Sequence, residues 1–173
     1  RNWNVIGLAS IDNGAIVNFT NTGTITQGDE TNGHKNPYYG IVKVDGSTDE
    51  INFNNSGTMQ SARRIFRLDG STNFTITNSG TIKQDNFAHH GRNDSAAPNE
   101  NAYTTIQVGD SGSGATIINS GTISAFSQNN HAITIGDDEA NAAHSNATIE
   151  NSGTISAGSD DYGRAIIIIP SSS

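Results

Sequence analysis

The side chains with the widest chemical repertoire gather between Asp85 and Tyr103, a stretch that holds Phe87, His89, His90, Arg92 and Asp94. Imidazoles beside carboxylates can hold a metal, yet adjacent histidines on an extended loop point in different directions. No cysteine or further histidine stands at ligand spacing, so no metal site is expected. Acidic turns (Asp45 with Asp49 and Glu50, Asp137-Asp138-Glu139, Asp160-Asp161) offer hard oxygen ligands suited to calcium. The Gly-Gly-Xaa-Gly-Xaa-Asp nonapeptide of calcium-binding β-rolls is absent, and such residues read first as solvated turn formers. No cofactor is expected, with calcium the one ion these turns would suit. Cleavage of a polysaccharide needs two carboxylates roughly 5 to 10 Å apart across a sugar, or a base beside calcium-bound acids. Here the acids lie in turns and no constellation recurs, so no catalytic residue is assigned. Tyr38, Tyr39, Phe87, His89, His90, Arg92 and Tyr103 are the candidate partner or glycan contacts, and the same residues suit a packed loop equally well.

The elements that must position these groups follow from a repeat. One pentad recurs five times: Asn21-Thr22-Gly23-Thr24-Ile25, Asn55-Ser56-Gly57-Thr58-Met59, Asn78-Ser79-Gly80-Thr81-Ile82, Asn119-Ser120-Gly121-Thr122-Ile123 and Asn151-Ser152-Gly153-Thr154-Ile155. Its intervals of 34, 23, 41 and 32 residues vary while the motif does not, as loop insertions into equivalent turns would produce. Two residues before each Asn stand Phe19, Phe53, Ile76, Ile117 and Ile149, and four before stand Val17, Ile51, Phe74, Ala115 and Ala147. That is strand periodicity. A second alternation upstream (Val42 with Val44, Phe66 with Leu68, Ile106 with Val108, Ile133 with Ile135) runs into Asp/Gly turns.

Each unit therefore holds three short strands, and the smallest, of 23 residues, leaves no room for a helix. A unit this small must bury its apolar face against its neighbours. The chain is predicted to be an all-β, single-stranded parallel β-helix solenoid, right-handed by the crossover rule, with about five coils in a single domain over 1–173. Long insertions are expected at 26–39 and 83–105, both leaving the corner that follows the pentad strand. Within the pentad, Asn21, Asn55, Asn78, Asn119 and Asn151 should form a stacked amide ladder. Gly23, Gly57, Gly80, Gly121 and Gly153 are read as supplying positive φ at the corner, so that Gly121→Val would break it. Ile25, Met59, Ile82, Ile123 and Ile155 should form an inward column, with the pentad threonines facing out. That threonine column raises ice binding, but its flanking positions, Thr26, Gln60, Lys83, Ser124 and Ser156, do not keep a regular array.

Composition agrees. An apolar content of 32% is low for a layered globule but enough for a narrow prism. A net charge of −8 opposes nucleic-acid binding, and the basic residues scatter apart from Arg63-Arg64 with Arg67, read as a charged outward strand face. No apolar run approaches the roughly 20 residues of a membrane span. The absence of cysteine suits export through an oxidising compartment. Asn18, Asn54, Asn73, Asn93 and Asn146 fall in Asn-Xaa-Ser/Thr sequons, a frequent coincidence in a chain rich in Asn and Thr.

The pattern Ile-Xaa-Asn-Ser-Gly-Thr-Ile, a loop, then Ala-Ile-Xaa-Ile resembles the repeat of bacterial autotransporter-type passenger domains and related large surface β-helix proteins. Ile117 to Ile123 with Ala132 to Ile135, and Ile149 to Ile155 with Ala165 to Ile168, carry the likeness, which extends over essentially the whole chain. The resemblance implies an extracellular or bacterial cell-surface protein, serving as the rod of an adhesin or as a self-assembling filament subunit. Its partners would be identical chains stacked end to end, or a glycan or cell-surface receptor. The alternative from another class is a β-helix that binds or degrades polysaccharide. No translocator barrel or autochaperone segment is legible in these residues. Asn4 to Leu8 reads as a rung strand and Ala165 to Ile169 as the first strand of a further coil, so the expectation is either a segment of a longer solenoid or a subunit completed by its neighbours.

Overall fold

The computed structural model describes residues 6–9, 16–27, 40–45, 50–61, 64–69, 73–84, 104–109, 114–126, 130–136, 147–157 and 163–168. The first coil is β1 (Ile6–Ala9), β2 (Ile16–Asn21) and β3 (Thr24–Gln27), and the second β4 (Val42–Asp45), β5 (Glu50–Asn55) and β6 (Thr58–Ser61). The third is β7 (Phe66–Asp69), β8 (Phe74–Asn78) and β9 (Thr81–Gln84), and the fourth β10 (Thr104–Val108), β11 (Ala115–Asn119) and β12 (Thr122–Ser124). β13 (His131–Ile135), β14 (Ala147–Asn151) and β15 (Thr154–Ser156) make the fifth, and β16 (Ile166–Ile168) follows. Every pairing is parallel and in register, and the strands form three sheets. Sheet A stacks β1, β4, β7, β10, β13 and β16; sheet B stacks β2, β5, β8, β11 and β14; sheet C stacks β3, β6, β9, β12 and β15. This is a parallel β-helix with three strands per coil. Among the described residues no helix is long and apolar enough to cross a membrane.

The core is a set of columns. Phe19, Phe53, Ile76, Ile117 and Ile149 are register partners along sheet B, as are Ile25, Met59, Ile82, Ile123 and Ile155 along sheet C. Val42, Phe66, Ile106, Ile133 and Ile166 run down sheet A. The larger side chains concentrate in the earlier coils. Phe19 stacks on Phe53 with centroids 4.6 Å apart, and Phe53 meets Phe66 edge-on at 4.9 Å. Later coils substitute Ile and Ala at the equivalent positions, so the prism is filled by aromatic rings at one end and by aliphatic groups at the other.

Three strand boundaries differ from the reading of the sequence, which placed insertions at 26–39 and 83–105. β3 runs to Gln27 and β9 to Gln84, while β10 begins at Thr104, so Thr26, Gln27, Lys83, Gln84, Thr104 and Thr105 belong to strands. Their backbones join the inter-coil ladders, with Thr26 opposite Gln60 and Lys83 opposite Ser124. Segments 28–39 and 85–103 each connect a sheet C strand to the sheet A strand of the next coil.

The conformational role read into the pentad glycines is a correction. Among the described residues positive φ occurs at Asn73 (61°), Gly114 (89°) and Gly136 (97°), and at no pentad glycine. Asn73 and Gly114 both precede sheet B strands, so left-handed backbone serves the corner between sheets A and B. The pentad glycine is required by close approach instead. A Cβ on Gly57 would overlap the carbonyl oxygen of Gly23, and one on Gly80, Gly121 or Gly153 would overlap the carbonyl oxygen of the preceding coil's glycine. Gly23 meets nothing within 4 Å, because it heads the stack of described coils.

Candidate functional site

The most ordered polar arrangement is the pentad corner. Asn21 Nδ2 donates to Asn55 Oδ1 at 2.8 Å; Asn55 donates to Asn78, Asn78 to Asn119 and Asn119 to Asn151, each at 2.7 Å. Each of the first four Nδ2 groups also reaches the carbonyl of the glycine two residues on, and that of the pentad threonine one coil on, at 3.1 to 3.3 Å. The backbone reinforces the stack. Asn21 O accepts from both Ser56 N–H at 2.9 Å and Gly57 N–H at 3.2 Å, and Gly23 O accepts from Thr58 N–H at 2.8 Å, a pattern repeated at each later junction. Asn55, Asn78 and Asn119 are buried and fully engaged, which removes the penalty of an unpaired buried amide.

The ladder has a direction. The asparagine-to-asparagine bonds all run from Nδ2 of one coil to Oδ1 of the next coil toward the C-terminus. At the first coil Asn21 Oδ1 takes its own Gly23 N–H at 3.2 Å; at the last, Asn151 Nδ2 keeps the Gly153 carbonyl at 3.2 Å.

The outer faces differ from one another. Sheet B presents Asn18, Asn52, Thr75, Thr116 and Thr148 as one register column. Within it Asn52 Nδ2 donates to Asn18 Oδ1 at 3.2 Å and to Glu50 Oε1 at 2.8 Å. Sheet C presents Thr24, Thr58, Thr81, Thr122 and Thr154, beside a second column in which Lys83 stands among Thr26, Gln60, Ser124 and Ser156. Sheet A aligns Lys43, Arg67, Gln107, Thr134 and Ile167. In that sheet Gln107 and Thr134 are buried although they face outward, and all five residues of β10 are buried. Thr134 Oγ1 donates to Thr104 Oγ1 at 3.0 Å, and Thr104 Oγ1 donates to the Ile106 carbonyl at 3.2 Å.

The arginine pair is thereby revised. Arg67 stands in register with Lys43, but Arg64 is only 5% exposed, so it is not a solvated face residue. Arg63 lies outside the described residues. The column Lys43–Arg67–Gln107–Thr134 was missed by reading each segment alone, and alignment on the upstream Val/Phe/Ile alternation would have found it.

Tyr38, Tyr39, Phe87, His89, His90, Arg92 and Tyr103 lie outside the described residues, as do Asp49, Asp137 to Glu139, and Asp160 with Asp161. Among the described residues no three of His, Cys, Asp or Glu come together. The two described glutamates, Glu50 on β5 and Glu150 on β14, are three coils apart, about 14 Å by strand spacing. The half-buried His131 accepts the Arg164 backbone N–H at its Nδ1, 3.1 Å away. Burial first, and the Arg164 charge second, hold its pKa below the ordinary value.

No protein-family model matches the chain, and searches of curated proteins and of solved structures return no match.

Proposed function

We propose that the chain is a non-enzymatic structural rod, exported and displayed at a bacterial cell surface as the shaft of an adhesin or as a filament subunit. The observation that carries this reading is the uninterrupted Asn21–Asn55–Asn78–Asn119–Asn151 ladder beside an equally continuous apolar column. Identical contacts repeated without a break make a stack whose length can be extended without redesign, and whose stability sums over neighbouring coils. The similarity of the repeats to autotransporter-type passengers and the lack of cysteine support the extracellular setting.

Several features speak for scaffold over enzyme. Inverting and retaining glycosidases place their carboxyls within roughly 10 Å, closer than Glu50 and Glu150; the acids that stand in adjacent coils are Asp45 and its register partner Asp69. Those two glutamates also occupy different columns, since Glu150 is opposite Ile118 and Glu50 is opposite Ile16. Sheets B and C hold mostly hydroxyl and amide groups on their outer faces, which suit contact with glycans or a surface receptor. Protease shaving of intact cells that make the protein natively tests the reading. Loss of the protein without lysis is expected. Retention inside intact cells, or release of new reducing or unsaturated ends from polysaccharide by the purified chain, overturns it.

A further inference from the structure

The described asparagines divide by the residue two places on. Asn21, Asn55, Asn78, Asn119 and Asn151 form the inward ladder and are each followed there by a pentad glycine, and the buried Asn130 is followed by Ala132. Asn18, Asn54 and Asn73 are exposed, and each has a hydroxyl at that position, on Thr20, Ser56 and Thr75. Residues two apart in a strand share a face. Asn18-Phe19-Thr20 therefore presents an amide and a hydroxyl outward together while Phe19 packs against the core. Asn73-Phe74-Thr75 does the same at the entry to β8, with Phe74 buried, and Asn54-Asn55-Ser56 sends only Asn55 inward, to the ladder. Sequons scattered by composition alone would fall on inward asparagines as well, and among the described residues none does.

The amide nitrogens divide in the same way. Asn52 is outward but has Asn54 two residues on, and its Nδ2 is tied to Asn18 Oδ1 at 3.2 Å and to Glu50 Oε1 at 2.8 Å. Among the described residues Asn18 is engaged only through that oxygen, and no side-chain bond holds Asn54 or Asn73. Three unengaged Nδ2 groups thus stand on the outer side of sheet B and its entry corner, in three successive coils.

We propose, taking the exported setting from the rod reading, that Asn18, Asn54 and Asn73 are N-glycosylation sites and that sheet B is the glycan-bearing side of the rod. The co-substrate is a glycosyl diphosphate, lipid-linked or nucleotide-linked, used by a separate glycosyltransferase that reads the hydroxyl beside the asparagine. Asn Nδ2 attacks the anomeric carbon, and the C–N bond forms as the bond from that carbon to the diphosphate oxygen breaks. The diphosphate leaves with the electron pair, and Nδ2 gives one proton to a base of the enzyme. The fold accepts the product at these positions, since a sugar there projects away from both core and ladder. On Asn78 the same group would occupy the nitrogen that donates to Asn119 Oδ1. Asn54 has Thr20 and Thr77 as register partners, about 4.8 Å away on either side, so a glycan on it covers the neighbouring coils. No described strand of sheet A or C contains asparagine, which leaves those two sheets unmodified.

The test is site mapping on protein isolated from the cells that make it natively, with electron-transfer mass spectrometry of the peptides that carry Asn18, Asn54 and Asn73. A sugar mass on each asparagine is expected: single hexoses point to the nucleotide-linked donor, and one uniform oligosaccharide block points to the lipid-linked donor. Thr20→Ala, Ser56→Ala and Thr75→Ala keep the asparagines and should each remove the sugar from its own site alone, whereas Thr75→Ser should retain it. An unmodified peptide strikes out its site. Sugar on the hydroxyls in place of the amides, or modification that survives loss of the hydroxyl, overturns the assignment and leaves the rod reading standing. Surface shaving decides that reading separately.

Discussion

Each residue of the pentad does a distinct physical job. The asparagine is the polar spine: replacing Asn78 by Ala strips its own donor bonds and leaves Asn55 Nδ2 and Asn119 Oδ1 without their ladder partner. A loss of about 2 to 4 kcal/mol is expected in urea denaturation, from the removed bonds and from the loss of the ladder donor to the buried Asn119 Oδ1, while Asn55 Nδ2 keeps the Gly57 and Thr81 carbonyls. Asn151→Ala, at the exposed end, should cost less than about 1 kcal/mol. The glycine is a matter of space. Gly121→Ala sets a methyl against the Gly80 carbonyl, a backbone obstruction that cannot rotate aside. A loss of about 3 kcal/mol is expected, the upper part of the usual overpacking range. Gly23→Ala, with open space around it, should fall within about 0.5 kcal/mol of the parent. Equal melting of the two glycine variants would contradict the close-approach explanation.

At the level of the strand, the contact between β13 and β16 contains a titratable acceptor. His131 Nδ1 can accept the Arg164 N–H only while the imidazole is neutral, and protonation adds repulsion from the Arg164 side chain. Thr104 is the register neighbour of His131 on the other side. Because the folded pKa is depressed below 6.5, the unfolded state binds the proton more readily. Stability from this pair is present above the ordinary pKa and is lost as pH falls through the lowered one. The protection factors of the amides of Ala132, Ile133 and Arg164, which bond across this junction, should therefore fall at acid pH once rates are divided by the intrinsic rate at each pH. Exchange in β8 should not change in the same way, and His131→Asn should flatten the dependence. An unchanged protection factor at Arg164 across that pH range would show that the imidazole bears no load there.

Among the described coils, those with a described neighbour on both sides should be the most stable, since each coil gains from both. Ile82 is fully buried between Met59 and Ile123, and Ile82→Ala should cost about 2 to 5 kcal/mol. Ile155, in the fifth coil, is only partly covered, so Ile155→Ala should cost roughly half as much. Chemical denaturation of both variants distinguishes a stack with weaker ends from one of uniform stability.

The repeated pentad and the two flanking alternations determined the coil, the three strands, the inward columns and the asparagine positions. All of these follow from local periodicity and from copies of one motif having to meet, both visible in a linear string. The tertiary structure alone decided why the glycine is there. Its neighbour is a carbonyl 23 to 41 residues away in the chain, and no local rule brings Gly57 against Gly23 or Gly121 against Gly80. The same holds for the burial of Arg64 and for that of Gln107 and Thr134 on the outer side of sheet A. Those depend on which coil lies above which, a relation created by stacking at a spacing of about 4.8 Å, far shorter than the chain between the partners.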